Sequence, residues 1–503
     1  MRRLNLNFNV KAIFSRVEEK GILLIIVCLA LILRGLNIGS NSLWIDEMWV
    51  MKYSLSTSLS EPLSEHLSQS INPPLFSVLE WLVYLIPVFE PETKLRLVPT
   101  IFSVATIPCI WVLSRRWYDV HTAMIATLLF TVSATQIFYA QEARPYSGIV
   151  FFISINTWLW LEAIKPKQIT EKRKYAYVAY ILLSTLGAYL HYYVLMVTIA
   201  HIILTPLLTG LNKNIILRQM CLGGSVLVLF IPWLPYFLNG LSNKPDYLQM
   251  PTAYFFRNYQ VYQYNDWELY FWIAVLLYGI HLIRCLRSVD WSLPPKSTAT
   301  KYESEIFFAA WLALPAITLV ILSWMTSPSV NHKSLLFTSP AAYILLARAS
   351  VETGRLFPRG DILPLALVCT LFIHTLISVE YYTEPQKQPM REGIEYVHQH
   401  SQGEPVLSVP SPWFFRYYEL ALFEEESEWY NEGEQRSSFI DRVEQEGKGW
   451  VILANNSVEP YDIDGLLSEI ENSTVVNEQK WQHKDLFDQG FVEVRVLEIM
   501  VNE

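Results

Sequence analysis

Eleven apolar stretches of roughly 18 residues punctuate the first three quarters of the chain, near 21–38, 96–113, 120–139, 147–164, 176–191, 193–209, 220–238, 267–285, 306–325, 335–350 and 362–381. Each is close to what a helix needs to cross a hydrocarbon core of about 30 Å. The first, after Lys20, is too long for a cleaved signal and lacks a small-residue cleavage site, so it reads as a retained helix. A twelfth stretch, Pro73 to Phe89, is ambiguous. After Tyr382 the pattern changes to short alternating elements. It predicts helices over Pro389–His400, Pro412–Phe423, 438–446 and 462–471, and strands over Glu404–Val409, Gly449–Ala454, 473–480 and 490–499. Such alternation over about 120 residues describes one small α/β domain.

Positive charge resolves the ambiguous stretch. Cytoplasmic loops carry an excess of Lys and Arg. If Pro73–Phe89 does not cross, 21 loop Lys and Arg residues fall on one side and seven on the other. If it crosses, most of the excess changes sides. It therefore reads as a helix lying in the interface, with Glu80 turned to water and the Trp81 and Tyr84 rings at headgroup depth. The expected architecture is an α-helical polytopic membrane protein of about eleven spans. It has a cytoplasmic N-terminus (1–20), a membrane region (21–383) with a long first outer loop (39–94), and an extracytoplasmic α/β region (384–503).

Composition agrees with that division. Of 503 residues, 52% are apolar and only 17% charged, with a mean hydropathy of +0.24, too little charge for a soluble enzyme of this size. The net charge of −9 conceals +7 over residues 1–383 and −16 over 384–503. The five cysteines lie in or at the ends of predicted spans and lack metal-ligand spacing, which suits packing.

Candidate chemistry collects in the outer loops. The first contains Trp44-Ile45-Asp46-Glu47 and Asn72-Pro73-Pro74-Leu75; the second reads Gln141-Glu142-Ala143-Arg144-Pro145-Tyr146. His191 with Tyr192 and Tyr193, and Asn331 with His332 and Lys333, also lie at outer ends of spans. Adjacent carboxylates near a membrane are costly unless exposed or used. Singly, each cluster reads best as a helix-end anchor; four on one face point to a site. Arg34 reads as snorkelling or structurally paired, and Arg96 could equally snorkel.

Arg34, Leu43-Trp44-Ile45-Asp46-Glu47, Asn72-Pro73-Pro74-Leu75, Arg96-Leu97-Val98-Pro99, Arg115-Arg116-Trp117-Tyr118 and Gln141 to Tyr146, in this order, resemble the successive motifs of glycosyltransferase family 39. That family includes protein O-mannosyltransferases and is similar to the aminoarabinose transferases, all of the GT-C fold. The resemblance covers about residues 20–165. Asn72 stands where the family often has His, and His332-Lys333 where it often has an Arg-Tyr pair.

The resemblance implies a plasma (inner) membrane enzyme. It would move a sugar from a polyprenyl-phosphate donor, with inversion, to an acceptor hydroxyl on a protein, lipid or glycan at the outer face. Asp46 would be the general base and Glu47 its neighbour, orienting acceptor or sugar. Arg144, Lys333 and Arg96 would stabilise the donor phosphate. Glu142, Tyr146, Asn72, His191 and His332 would line the substrate site. A divalent metal is not signalled: His66, His191 and His332 come from three separate loops. No Gly-rich phosphate loop follows a strand, and topology accounts for the basic inner loops without nucleic acid. A polysaccharide polymerase or ligase using lipid-linked sugars, and a non-enzymatic transporter or scaffold, are the alternatives.

Overall fold

The computed structural model describes residues 19–56, 58–60, 72–164, 171–209, 211–240, 250–252, 254–288, 302–325, 330–409, 413–424, 427–455, 461–484 and 491–502. All eleven apolar runs fold as helix. Among the described residues, five helices are long and apolar enough to cross a membrane unaided: Pro91–Trp117, Lys213–Asn239, Glu268–Arg287, Glu303–Met325 and Lys333–Gly354. Val120–Val132 and Ala134–Ala140 make a sixth candidate if they form one span, bent by 61°.

In chain order the elements that matter for the site are α1 (Glu19–Gly35), α2 (Ile45–Ser54), α3 (Leu75–Tyr84), α4 (Pro91–Trp117), α5 (Val120–Val132), α6 (Ala134–Ala140) and α7 (Tyr146–Ala163). The bend between α5 and α6 has a definite cause. Ser133 is extended, which breaks the helical ladder, and Asn265 takes up the freed groups. Its Oδ1 accepts from Ser133 Oγ at 2.8 Å and from Thr135 N at 3.3 Å. The bend re-aims α6, whose end delivers Gln141 to Arg144 to the start of α2, where the Ala143 amide meets Glu47.

Of the two readings of Arg34 the structure takes the structural pairing, and the expectation for Glu80 changes. Arg34 does not snorkel: it is fully buried, and its guanidinium donates to Ser103 Oγ at 2.7 Å and to the Phe130 and Thr131 carbonyls at 3.1 Å. It braces α1 against α4 and the end of α5. Glu80 does not face water. It is fully buried, with neither carboxylate oxygen hydrogen-bonded. The surroundings of α3 explain this, because Leu82, Leu85, Ile86 and Val88 lie exposed where lipid would be. Among lipids a helix turns its polar residues inward. Burial, with the Glu47 charge adding to it, holds the Glu80 carboxyl well above the usual range. The ten residues of α3 span only about 15 Å, too short to cross. Trp81 donates from Nε1 to the Ser56 carbonyl at 3.0 Å, and Tyr84 lies under Lys94 at 4.7 Å.

Beyond residue 383 the chain forms α8 (Met390–His400), β1 (Val406–Val409), α9 (Trp413–Phe423), β2 (Trp429–Asn431), α10 (Arg436–Glu446), β3 (Lys448–Asn455), α11 (Ile463–Glu469), β4 (Ser473–Lys484) and β5 (Phe491–Val501). The sheet order is β2-β1-β3-β5-β4. β1 pairs parallel with β2 and β3, while β5 is antiparallel to β3 and β4. The predicted elements are present; β2, three residues long, is too short to show alternation and was not predicted. One sheet face packs on α10 and α11 through Leu407, Phe439, Val443, Val451 and Leu466. On the other, Ile394, Phe415, Tyr418 and Ile452 join a core continuous with the helical bundle. The C-terminal region is thus seated on the loop that leads into α2 and on the end of α6.

Candidate functional site

The site is built around the start of α2. Asp46 and Glu47 sit in its first turn, where carboxylates are favoured by the helix dipole. Their side chains go opposite ways. Glu47 is fully buried and Asp46 is 36% exposed.

Glu47 is the hub of an internal ion cluster. Arg96 grips it in a bidentate pair, Nε to Oε1 at 3.0 Å and Nη2 to Oε2 at 2.9 Å. The Ala143 amide donates to Oε1 at 2.8 Å, and the Lys387 ammonium lies 2.9 Å from Oε2. Burial alone would raise the Glu47 carboxyl, but Arg96 and Lys387 bring it down to about 2. The remaining Arg96 N–H groups donate to the carbonyls of Ile38, Asn41 and Ser42 at 2.8–3.0 Å. Two expectations are corrected by this geometry. All five donors of Arg96 are engaged, so it holds the loop between α1 and α2 and does not reach a donor phosphate. Glu47 is sealed beneath it and orients no substrate directly.

Asp46 instead lies among cations that are not consumed. Lys333 Nζ is 3.9 Å from its Oδ2 and sits 4.4 Å over the Trp44 ring. Arg144 donates to the Asp46 backbone carbonyl at 3.2 Å, and its Nε is buried without a hydrogen-bond partner. Tyr146 lies within electrostatic reach of Arg144 and places its ring 5.2 Å from Tyr139. His191, at the turn after Glu171–Leu190, packs 4.5 Å from Tyr193 and within electrostatic reach of Arg144. His332 lies against the rings of Phe255 and Tyr262, at 5.5 and 5.7 Å. Asn72 is exposed at the entry to α3. Among the described residues no three His, Cys, Asp or Glu side chains converge to hold a metal; His66 lies outside the described residues.

Glu142 is the least compensated member. It is fully buried and neither oxygen has a hydrogen-bond partner. Burial drives its carboxyl up to about 7, against the pull of Lys387 and Lys333 and with a push from Glu47 and Asp46. The folded state therefore holds this proton more tightly than the unfolded chain. Its contribution to stability is present below about pH 4.5 and is lost as pH rises through 7, an effect of about 3 kcal/mol. Glu142→Gln is expected to melt near the wild type at pH 5 and above it at pH 8; an equal offset at both pH values in detergent melts would contradict this.

Sequence reasoning missed Lys387. The signal was available, since Lys387 is the one cation in the polar stretch Glu384 to Pro389 that directly follows the last apolar run.

Residues 71–236 match the sequence profile of the family described as dolichyl-phosphate-mannose-protein mannosyltransferase. No curated protein matches the chain. Among solved structures, ArnT from Cupriavidus metallidurans bound to undecaprenyl phosphate is similar, with a TM-score of 0.55 at 12% identity over 94% of this chain and 97% of that one. Its apo state gives a TM-score of 0.53 at 12% identity over 95% and 98%. The apo oligosaccharyltransferase of Archaeoglobus fulgidus gives 0.54 at 12% identity, covering 87% of this chain and 70% of that one. These likenesses, with the topology above, establish the GT-C fold: a multi-pass helical membrane region followed by a small α/β sheet region.

Proposed function

We propose that this GT-C protein is a membrane glycosyltransferase that takes a sugar from a polyprenyl-phosphate donor and places it, with inversion, on an acceptor hydroxyl at the outer face of the membrane. The observation that carries the reading is the state of Asp46. It is the solvent-reachable carboxylate of a cluster whose other acids, Glu47 and Glu142, are buried, and it stands beside Lys333 and Arg144. A base must reach the acceptor, and a phosphate must find cations. The family match over 71–236 and the undecaprenyl phosphate bound by the similar ArnT support a lipid-linked donor. The bias of 21 loop cations against seven supports a cytoplasmic N-terminus, which places these groups outside.

The charges balance through the reaction. The cluster holds Arg96, Arg144, Lys333 and Lys387 against Asp46, Glu47 and Glu142, one positive charge in surplus when all three acids are ionised. That matches the single negative charge of a phosphodiester donor. As the acceptor oxygen bonds to the anomeric carbon, its proton passes to Asp46 and the bond from that carbon to the phosphate oxygen breaks. Asp46 loses its negative charge as the departing lipid phosphate gains one. Lys333 and Arg144 hold that phosphate, so no acid need protonate it.

Incubation of the purified protein with a panel of polyprenyl-phosphate sugars and hydroxyl acceptors tests the reading. Release of lipid phosphate with an inverted anomeric centre in the product is expected; no release from any donor, or retained configuration, overturns it. Lys333→Met is expected to raise the donor KM roughly 10- to 100-fold, the loss of one charge-assisted contact. A rise of that size in the acceptor KM instead would move Lys333 to the other substrate.

A further inference from the structure

The cation nearest Glu47 other than Arg96 comes from the C-terminal region, about 290 residues further along the chain than Arg96. The Lys387 side chain is 4% exposed. Its ammonium lies 2.9 Å from Glu47 Oε2, donates to the Gln141 carbonyl at 3.0 Å, and sits 5.2 Å from the Phe138 ring centre. Glu47 does not need it for neutrality, because the bidentate Arg96 pair already balances that charge. A second buried cation carries a desolvation cost of several kcal/mol, and an uncharged side chain would fill the same space.

The placement of Lys387 suggests what that cost secures. Glu47 shares the first turn of α2 with Asp46, and Gln141 is next to Glu142 and close to Arg144. One ammonium therefore ties the helix bearing the base to the loop bearing a phosphate-binding cation. Contacts on both sides of Lys387 continue the tie. The Gln386 amide donates to Asn41 Oδ1 at 2.8 Å, Gln388 Oε1 accepts from the Ile45 amide at 3.4 Å, and the Arg391 amide donates to Ser42 Oγ at 3.1 Å. Behind it, His483 of β4 hydrogen-bonds the Lys387 carbonyl at 2.9 Å. A continuous chain of contacts runs from the sheet, through Lys387, to the turn that presents Asp46.

We propose that Lys387 is a positioning residue of the transferase site, so that the C-terminal α/β region completes the catalytic geometry by fixing the Asp46 helix against the Glu142–Arg144 loop. This rests on the reading of Asp46 as the base. Three charged side chains bear on the Lys387 ammonium: Glu47 from α2, Arg96 from α4 and Glu142 from the loop after α6; His483 touches its backbone. Burial and the Arg96 charge lower its ammonium to about 8, with Glu47 opposing them. The tie is therefore made at neutral pH and released on the alkaline side.

The test uses the full-length protein with the polyprenyl-phosphate donor that it turns over. Lys387→Met is expected to lower kcat roughly 10- to 100-fold while donor KM stays within twofold, and to abolish the decline of wild-type kcat above about pH 8. Lys387→Arg keeps a charge that does not titrate there, so its alkaline decline is expected to move to higher pH. Wild-type kcat in Lys387→Met, or a loss confined to donor KM, overturns the proposal. If the Met protein fails to fold, the Arg protein decides: an alkaline limb unmoved from the wild type overturns it. Failure of the wild type to transfer any sugar would refute the glycosyltransferase reading itself, whereas an active wild type with unaffected variants refutes only this role.

Discussion

Asp46→Asn is expected to lower kcat about 1000-fold, within the range that a positioned general base supplies, and to leave the protein folded in the membrane. The two halves of that expectation come from different observations. The loss follows from chemistry: an amide is nearly isosteric with the carboxylate but cannot accept the acceptor's proton. The intact fold follows from location. Asp46 is 36% exposed, among the described residues its carboxylate makes one ion contact, to Lys333 at 3.9 Å, and Arg144 binds its backbone carbonyl, which the substitution keeps. A half-exposed polar substitution of this kind changes stability by about 0.5 kcal/mol or less. Sugar transfer and a detergent melt measured on the same preparation check both halves. Full transfer activity in the variant would remove Asp46 from the chemistry, and a collapse of the melt would mean that Asp46 carries structure instead. Donor KM should change little, because Lys333 and Arg144 keep their charges.

How much of this was legible in the sequence depends on the range of the interaction concerned. The helices were legible because a long apolar run is a local signal, and the elements after residue 383 because strands and helices differ in period. What failed was the direction in which single polar side chains point. The reading of a helix lying in the interface turns Glu80 to water, yet the exposed Leu82, with Leu85 and Ile86 just beyond the helix, shows that the outside of α3 is apolar. Arg34 was left between two readings, since its partners Ser103, Phe130 and Thr131 lie on other helices. The adjacent acids of α2 were legible as a site but not as two different objects. Neighbouring residues on a helix diverge by about 100°, so the turn that shows Asp46 to solvent buries Glu47. That Arg96 would be consumed by Glu47, and that Lys387 would arrive from the far end of the chain, depends on contacts across 49 and 340 positions; only the first pair lay within the motifs recognised.

Glu47→Gln should have the opposite profile, a loss of the fold before any loss of chemistry. The carboxylate is fully buried and carries two strong bonds from Arg96, one from the Ala143 amide and the Lys387 contact. Gln keeps the shape and one acceptor oxygen but removes the charge, so Arg96 and Lys387 are left as two buried cations without a counter-ion. Breaking one partner of a buried pair costs about 3–5 kcal/mol, which should appear as a large drop in melting temperature beside an unaffected Asp46→Asn control. The pH dependence gives an independent check. Because the Glu47 carboxyl lies near 2 in the folded protein, against an ordinary 4.5, its contribution is present above about pH 4.5 and lost as pH falls towards 2. Wild-type stability should fall across that window by about 3 kcal/mol more than that of the Gln variant. Adding Lys387→Met to Glu47→Gln removes one of the two stranded cations, so the double variant should melt above Glu47→Gln alone. Additive losses would mean that the two residues do not act on each other, and that the C-terminal region is held by its other contacts, the hydrogen bonds of Gln386, Gln388 and Arg391 and the apolar packing of α8 and α9.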